Sequence, residues 1–160
     1  MVDAMTDATI RSATVDDEAA WVACAAGLFA EDGGTRDAAL NVNWPHEHGA
    51  QSFHTGLSSP DRLLLVAEDG GEVAGTLSGQ LRSPSAMRPV SVAELVSLFV
   101  VPRMRGGGVG ARLVEGFLAW ARSCEAELVQ VSAYAANAGA VRFYERMGFS
   151  PHQVQLERRL

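Results

Sequence analysis

The chain has 160 residues, of which 48% are hydrophobic and 20% are charged, and its net charge at pH 7 is −6. This balance is typical of a globular protein and excludes extensive disorder. The length predicts one domain, residues 1–160, that buries roughly 70% of its unfolded surface. The acidic balance argues against a broad nucleic-acid interface, which needs clustered basic residues, and it is compatible with a cationic substrate.

The targeting and redox signals favour a cytoplasmic protein. Met1 to Thr9 has no basic segment followed by an apolar one, so no signal peptide is expected. The longest apolar run, Ala19 to Ala30, is shorter than the roughly 20 residues of a membrane span, and no membrane contact is expected. Cys24 and Cys124 fall in apolar helical patterns, which predicts buried free thiols in a reducing compartment.

Apolar periodicity and turn residues divide the first half of the chain into four segments. In chain order these are a strand over Ile10–Thr14, a helix from Asp16 or Asp17 to about Phe29, a break at Glu31–Gly34, and an irregular, partly helical stretch over Arg36–Leu57 that Trp44-Pro45 interrupts. The first helix shows apolar residues spaced by three and four, namely Trp21, Cys24, Ala25 and Leu28.

The second half is predicted to form a hairpin followed by alternating strands and helices. Its elements are strands over Arg62–Ala67 and Glu72–Leu81 joined by Glu68–Gly71, a loop over Arg82–Pro89, a strand over Val90–Val101, a helix from Val109 to about Cys124, a strand over Leu128–Ala133, a helix over Ala138–Met147 and a last strand over Val154–Arg159. The early hairpins imply antiparallel pairing, and the strand–helix–strand unit after Val101 implies a parallel crossover. We therefore expect an α/β fold of the α+β type, with a mixed, mostly antiparallel central sheet and helices on both faces.

The richest local signal is the glycine-rich turn between a strand and a helix, Arg105 to Gly110. Three successive glycines allow positive φ and a close approach of the backbone to a ligand. The helix that follows has unpaired N–H groups and a partial positive charge at its start, which favours a phosphate or pyrophosphate. Arg103 and Arg105 add positive charge at the same place. The sequence thus predicts a phosphate-bearing ligand held by backbone amides.

Two motifs give the chain a resemblance to the GNAT superfamily of acyl-CoA-dependent N-acyltransferases. The family signature (Arg or Gln, two residues, Gly, one residue, Gly or Ala) is met by Arg105, Gly108 and Gly110. A second family element, an Asn before a helix that ends Phe-Tyr-Glu-x-x-Gly-Phe, is met by Asn137 and Phe143 to Phe149. Both motifs have the family's order and separation, and the predicted elements fit the family over roughly Ile10 to Leu156.

The resemblance implies acetyl-CoA as co-substrate and direct transfer of its acetyl group to a primary amine in a ternary complex. In the family the pyrophosphate lies on the amides of the turn, and the pantetheine arm pairs with the preceding strand. That strand usually bulges and splays from its parallel neighbour, here Leu128 to Ala133, which opens a slot for the thioester. The cofactor-binding residues implied here are Leu98, Phe99, Val100, Arg105, Gly106, Gly107, Gly108, Val109, Gly110, Asn137 and Tyr144. The acceptor would be a small-molecule or peptide amine, and a homodimer is compatible with the family.

Glu94 is the candidate general base. It is the only ionisable side chain between Val90 and Val101, and strict alternation places it on the face of Val92, Val96 and Leu98. A carboxylate in an apolar wall accepts a proton from an ammonium group if burial raises its own pKa. An acidic residue at the matching position is the base in several GNAT branches. The alternative is a carboxylate that is solvated or paired with Arg82 or Arg88.

Tyr144 matches the family tyrosine that donates to the sulfur of the cofactor. A phenol is a weaker acid than an alkyl thiol, so a shared hydrogen bond to the departing thiolate is more favourable than full proton transfer. Its alternative role is packing on the sheet. Asn137 is expected to cap the following helix, and in the family its amide also contacts the cofactor. Gly148 is expected to end that helix in left-handed geometry, with Phe149 packing back.

The segment from Trp44 to His48, with His54 beyond it, raises the question of a metal site. It lacks His-Glu-x-x-His, and His46 and His48 do not share a helix face, so no metal is expected. We expect this segment, with Glu31 and Asp32, to border the acceptor pocket, since in GNATs the early helices and their loop usually set acceptor choice. Trp44 would supply an aromatic wall for an ammonium group or would simply pack.

Two other functions fit parts of the sequence. Gly106 to Ala111 satisfies G-x-G-x-x-A, but a dinucleotide site also expects an acidic residue about 20 positions on, and Val129 to Ala133 supplies none. A catalytically silent sensor that binds acyl-CoA is the second alternative. Intact Glu94 and Tyr144 count against it.

Overall fold

The computed structural model describes residues 7–160 of the chain. The lack of a signal peptide was predicted from Met1 to Thr9, and residues 1–6 of that stretch lie outside the described residues. The helices and strands are β1 (Thr9–Ser12), α1 (Glu18–Thr35), α2 (Trp44–Ser58), β2 (Arg62–Asp69), β3 (Glu72–Arg82), β4 (Val92–Val100), α3 (Val109–Ser123), β5 (Leu128–Val131) and α4 (Ala138–Arg146), with single 3₁₀ turns at Val15–Asp17 and Pro102–Met104.

The five strands form one sheet in the order β1-β2-β3-β4-β5. The first four pair antiparallel, and β5 pairs parallel with β4. The β2–β3 hairpin turns at Gly70 and Gly71, which both have positive φ, as the Asp-Gly-Gly sequence predicted. The mixed, mostly antiparallel sheet is therefore confirmed.

The helices cover both faces of the sheet. On β2, Leu64 lies against Gly56 of α2, whereas its neighbour Leu65 lies against Gly116 of α3. Because successive strand residues point to opposite faces, α2 and α3 lie on opposite sides. On the face of α1 and α2, Gly27 of α1 packs directly on the Phe99 ring, where a Cβ would come within 2.6 Å of Cζ. The main apolar cluster lies on the α3 face, and its fully buried members are Ala8, Ala67, Ala74, Leu77, Ala93, Val109, Leu113, Val114 and Phe117.

An ion-pair network fastens β1 to the start of α1. The guanidinium of Arg11 donates to both carboxylate oxygens of Asp17, at 2.8 and 2.9 Å, and to Glu68 on β2 at 2.7 Å. Asp17 is only 6% exposed and also accepts from the Thr14 backbone N–H at 2.7 Å. The hydrogen bonds from Arg11, ahead of that from Thr14, lower the pKa of Asp17 below its ordinary value despite burial.

The expected break at Glu31–Gly34 is wrong, because α1 continues to Thr35. The two glycines stay helical at the end of the helix, and Gly33 gives room to Val42, whose Cγ1 would lie 2.4 Å from an added Cβ. The Thr35 hydroxyl donates to the Glu31 carbonyl at 2.7 Å, which helps to satisfy the last turn. The close contact with Val42 therefore explains why a glycine occurs at position 33, where the sequence predicted the end of the helix.

Trp44-Pro45 does not interrupt a helix but starts one, so that expectation is also wrong. α2 begins at Trp44, and Pro45 occupies its first turn. Proline is well suited to this position, since its fixed φ is helical and its missing N–H would have no partner in the helix. The remaining predicted boundaries agree with the structure to within about two residues, except at the C-terminus.

A β-bulge in β4 changes which of its residues share a face. Gly79 of β3 lies opposite Leu95 and Ser78 lies opposite Ser97, so Val96 is an extra residue without a partner on β3. After the bulge, Leu98 joins the core on the α3 face. The expectation that Glu94 shares a face with Leu98 is therefore wrong, because one inserted residue inverts the alternation beyond it.

The predicted strand over Val154–Arg159 is not formed within the described chain. Residues 150–160 carry no strand or helix, and all of them are exposed. Val154 and Leu156 are 79% and 88% exposed. The apolar alternation is present in the sequence, but no strand among residues 7–160 pairs with it.

Candidate active site

The slot predicted between β4 and β5 is present. The two strands pair only where Val92–Leu95 runs beside Leu128–Val131. β5 then ends, whereas β4 continues through the bulge at Val96 to Val100. From Val96 onward β4 has no strand partner on its β5 side among residues 7–160, so this edge is accessible to an extended ligand.

The glycine-rich turn lies at the end of β4 and leads directly into α3. Gly106 and Gly108 have φ of +81° and +84°, and a Cβ at either residue would meet nothing within 4 Å. Gly108 caps α3 and has no side chain, and the first turn of the helix contains no acidic residue. The predicted geometry is thus present: an accessible helix N-terminus whose N–H groups suit an anion.

Both arginines of the turn are engaged by carboxylates. Arg103 donates to Glu72 at 3.0 Å. Arg105 donates to Glu31 at 2.6 Å and from Nε to the Val100 carbonyl at 2.8 Å, and its guanidinium lies over the Phe99 ring at 5.3 Å. Arg105 therefore ties the turn to the end of α1 and to β4, in addition to carrying charge.

Glu94 lies on β4 just before the slot opens, on the face of α1 and α2. Its carboxylate is ion-paired with Arg82, and its side chain is 23% exposed. The structure thus contains the arrangement that the sequence offered as the alternative to a free base. The same pair holds the carboxylate at a fixed place beside the slot.

Tyr144 lies on the opposite face of the sheet from Glu94. It packs with α4 against the core cluster on the α3 side, between Phe143 and Phe149, whose ring centroids lie 5.1 and 5.8 Å away. Burial raises the pKa of its hydroxyl to about 12. Within residues 7–160 the hydroxyl makes no hydrogen bond, so it remains able to donate to a ligand. Glu94 and Tyr144 therefore lie on opposite faces of the sheet, beside the same gap.

The ends of α4 are built as predicted. The Asn137 side chain accepts from the Ala140 N–H at 3.1 Å and caps the helix. Gly148 has φ of +93°, and the Phe149 N–H donates to the Tyr144 carbonyl at 3.0 Å. This left-handed ending folds Phe149 back onto Tyr144 and fixes the tyrosine on the helix.

Trp44 has a packing role in this structure. It stacks on Phe29 of α1 at 5.6 Å and contacts His48 at 5.9 Å. Two open depressions lie along α2, and the one lined by Trp44, His48 and Arg62 contains no residue of the turn or of β4. No group of three or more metal-binding side chains is found among residues 7–160.

A hydrogen bond between two loops was not predicted. The Tyr134 hydroxyl, in the loop after β5, donates to Asp37 between α1 and α2 at 3.0 Å. Burial, and then this hydrogen bond to a carboxylate, raise the pKa of Tyr134. The two residues are 97 positions apart, and neither belongs to a motif, so the sequence contains no signal that pairs them.

The thiols are only partly as predicted. Cys24 and Cys124 are both free, but only Cys24 is buried, whereas Cys124 is half-buried. Burial raises the pKa of Cys24, and its thiol is hydrogen-bonded to Thr76 on β3. Cys24 is therefore a packed core residue rather than a reactive thiolate.

Comparison with known proteins agrees with this architecture. The model of the acetyltransferase (GNAT) family matches residues 17–149, and the chain belongs to that family. An uncharacterized N-acetyltransferase of Methanocaldococcus jannaschii is 30% identical over 91 residues, which cover 57% of this chain and 40% of that protein.

Solved structures show the same fold. A tetramutant of the BH1408 protein from Bacillus halodurans has a TM-score of 0.87 and 21% identity, covering 95% of this chain and 99% of that one. The aminoglycoside N-acetyltransferase AAC(6')-Iy, solved in complex with CoA, has a TM-score of 0.70 and 15% identity, covering 95% and 99%. None of the helices in the described part of the chain has the length and apolar character needed to cross a bilayer.

Proposed function

We propose that this protein transfers an acetyl group from acetyl-CoA to a primary amine by direct attack within a ternary complex. The observation that carries the proposal is the gap between β4 and β5, with an anion-binding turn at its mouth and Glu94 and Tyr144 on its two faces. A thioester in this gap would be reached by an amine from one face while its sulfur departs toward the other. Membership of the family and the CoA complex of AAC(6')-Iy support the choice of co-substrate.

Each part of the site has a role in this proposal. The backbone from Arg105 to Gly110 holds the diphosphate, and Leu98 to Val100 offer strand-like pairing to the pantetheine arm. Glu94 takes a proton from the ammonium form of the acceptor, directly or through water. Tyr144 donates a hydrogen bond to the departing thiolate, and its raised pKa keeps the proton on the phenol. The Asn137 amide contacts the cofactor while it also caps α4.

Calorimetry with CoA and acetyl-CoA, followed by a thiol-release assay over a panel of amines, tests the proposal. We expect binding of both thioester and free CoA, and thiol release only when an acceptor amine is present. The 13 basic residues of the chain are all arginines, so it contains no lysine side chain to accept acetyl groups itself. Release therefore reports on the added amine. Absence of heat with CoA at millimolar concentration would overturn the proposal.

A second candidate, a sensor that binds acyl-CoA without turnover, is favoured by the ion pair between Arg82 and Glu94. That pair occupies the carboxylate on which proton removal depends. CoA binding with no thiol release over polyamines, aminoglycosides, amino acids and peptide N-termini would support the sensor. We place either activity in the cytoplasm, a proposal supported by the unpaired cysteines.

A further inference from the structure

Arg62, at the start of β2, is a cation without a partner among residues 7–160. Its Nε atom is buried and makes no hydrogen bond, and its guanidinium forms no ion pair. By contrast, the arginines of the turn and the arginine beside Glu94 each bind a carboxylate. A buried donor that the protein does not satisfy costs stability, and in a native protein it calls for a functional explanation.

Arg62 lines an open depression with a volume of about 340 Å³ on the face of the sheet that carries α1 and α2. The other lining residues all belong to α2, namely Trp44, His48, Gln51, Ser52 and Thr55. None of the six side chains is acidic, and every one of them can donate a hydrogen bond. The depression therefore suits an anionic group.

Arg62 also belongs to a polar row that crosses three strands. It lies opposite Gln80 on β3, and Gln80 lies opposite Glu94 on β4. Residues that lie opposite each other in a sheet share a face, so all three side chains are on the face of α1 and α2. Neighbouring strands are about 4.8 Å apart, so the backbones of Arg62 and Glu94 are separated by roughly 10 Å. The row thus holds an unpaired cation and the candidate base at a fixed separation.

α2 crosses the sheet beside this row. Gly56, near the end of the helix, lies on β2, whereas Trp44 at its start stacks on Phe29 of α1. The same part of α1 packs through Gly27 on the Phe99 ring of β4. The depression along α2 therefore leads from Arg62 on β2 toward β4 and the gap in which the thioester is proposed to lie.

We propose that the acceptor carries an anionic group in addition to its amine, and that Arg62 binds this group while Glu94 receives the amine. This inference rests on the proposed acetyl transfer. The planar fork of a guanidinium binds a carboxylate or a phosphate through two parallel hydrogen bonds. The row selects acceptors whose amine and anion are up to roughly 10 Å apart, which excludes an amine and a carboxylate on one carbon atom.

Local charge supports this assignment, although the chain as a whole is acidic. Arg82 is ion-paired with Glu94, so the charge of that carboxylate is already balanced. Arg62 then adds an uncompensated positive charge at the other end of the row. An acceptor with an amine alone would leave Arg62 without a partner, whereas an acceptor with both groups satisfies both ends of the row.

Calorimetry, with and without CoA, tests the anion site. 6-Aminohexanoate and hexylamine have chains of the same length, and only the first carries an anion. We expect 6-aminohexanoate to bind about tenfold more tightly, since its carboxylate forms charge-assisted hydrogen bonds with Arg62. 6-Aminohexyl phosphate shows whether a phosphate is preferred to a carboxylate. Equal affinities for hexylamine and the two anionic compounds would overturn the proposal.

Arg62→Gln removes the charge and keeps a polar side chain, so the preference for 6-aminohexanoate over hexylamine should fall about tenfold. Because the preference compares two ligands on one variant, a general loss of stability does not change it. Arg122→Gln makes the same change in the last turn of α3, on the opposite face of the sheet, and should retain the preference. Equal preferences in the two variants would contradict the role of Arg62.

Thiol release separates this inference from the proposed function. We expect kcat/KM to be about tenfold higher for 6-aminohexanoate than for hexylamine, and we expect glycine to be a poor acceptor because its two groups share one carbon atom. Equal release with 6-aminohexanoate and hexylamine would leave acetyl transfer intact and refute the role of Arg62. Binding of 6-aminohexanoate without thiol release would place Arg62 outside the acceptor site, which also refutes it.

Discussion

Glu94 is the residue on which acetyl transfer at neutral pH is proposed to depend. Glu94→Gln keeps the size of the side chain but removes the proton acceptor, so we expect kcat to fall about a hundredfold at pH 7. The deficit should shrink as the pH approaches the pKa of the acceptor amine, because the free amine then needs no base. Steady-state kinetics from pH 6 to 9 measure this.

Glu72→Gln is the matched control for that experiment. Glu72 is also ion-paired with an arginine, Arg103, but it is 76% exposed at the start of β3. We expect unchanged kcat for this variant. If Glu94→Gln behaves like Glu72→Gln across the pH range, the ion pair with Arg82 is the whole role of Glu94.

Tyr144 is expected to act as a protonated donor. Tyr144→Phe removes the hydroxyl but keeps the ring between Phe143 and Phe149, so kcat at saturating acetyl-CoA should fall about tenfold or more while the fold is retained. Since the pKa of Tyr144 is about 12, its ionisation should not reduce kcat below about pH 11. Tyr134→Phe, which removes a hydroxyl bound to Asp37, is the control. Full activity of Tyr144→Phe would show that Tyr144 has only a packing role.

Asp17 contributes stability that depends on pH. Its pKa is lowered in the folded state, so its stabilising effect is complete above the ordinary value of 3.8 and is lost as the pH falls below it. Asp17→Asn should lower the free energy of unfolding at pH 7 by about 2–3 kcal/mol, because it leaves Arg11 without its bidentate partner. Urea unfolding at pH 7 and at pH 3 measures this. A loss that is as large at pH 3 as at pH 7 contradicts the assignment.

At the scale of elements, a substitution in the turn before α3 has two separable effects, namely backbone strain and loss of ligand contact. Gly108→Ala forces a side chain to φ of +84° and should destabilise the fold by about 1 kcal/mol. It should also weaken CoA binding, because the new methyl would stand at the helix N-terminus, where the diphosphate is proposed to bind.

Gly70→Ala is the control for that variant. Gly70 has φ of +59° in the β2–β3 hairpin, with open space around it. Thermal unfolding should show similar losses for the two variants, and calorimetry should show weaker CoA binding for Gly108→Ala alone. Equal CoA affinities of the two variants would show that the turn does not contact CoA.

The sequence predicted local backbone features better than it predicted tertiary contacts. The turn at Gly106 and Gly108 and the caps at Asn137 and Gly148 follow from backbone rules that act over a few residues, and all were confirmed. The bulge at Val96 depends on pairing with β3, which no local pattern reveals. Side-chain partners such as Arg82 and Glu94 were predictable only as one alternative among several, because an ion pair depends on tertiary geometry.

At the scale of the whole molecule, we expect residues 1–160 to unfold as one domain. The core cluster joins residues of β2, β3, β4 and α3, so no subset of these elements is buried without the others. Calorimetric and van't Hoff enthalpies of unfolding should therefore agree. Two separate transitions would contradict the single domain.

The two edges of the sheet differ in a way that limits assembly. β1 and β5 both have four residues, but β1 carries Arg11, which is held by Asp17 and Glu68, whereas β5 carries no charged side chain. A short edge strand that carries a charge does not accept another strand readily. Another strand can therefore be added to the sheet at the β5 edge only. Molecules joined there would close into a finite pair and would not propagate into fibres.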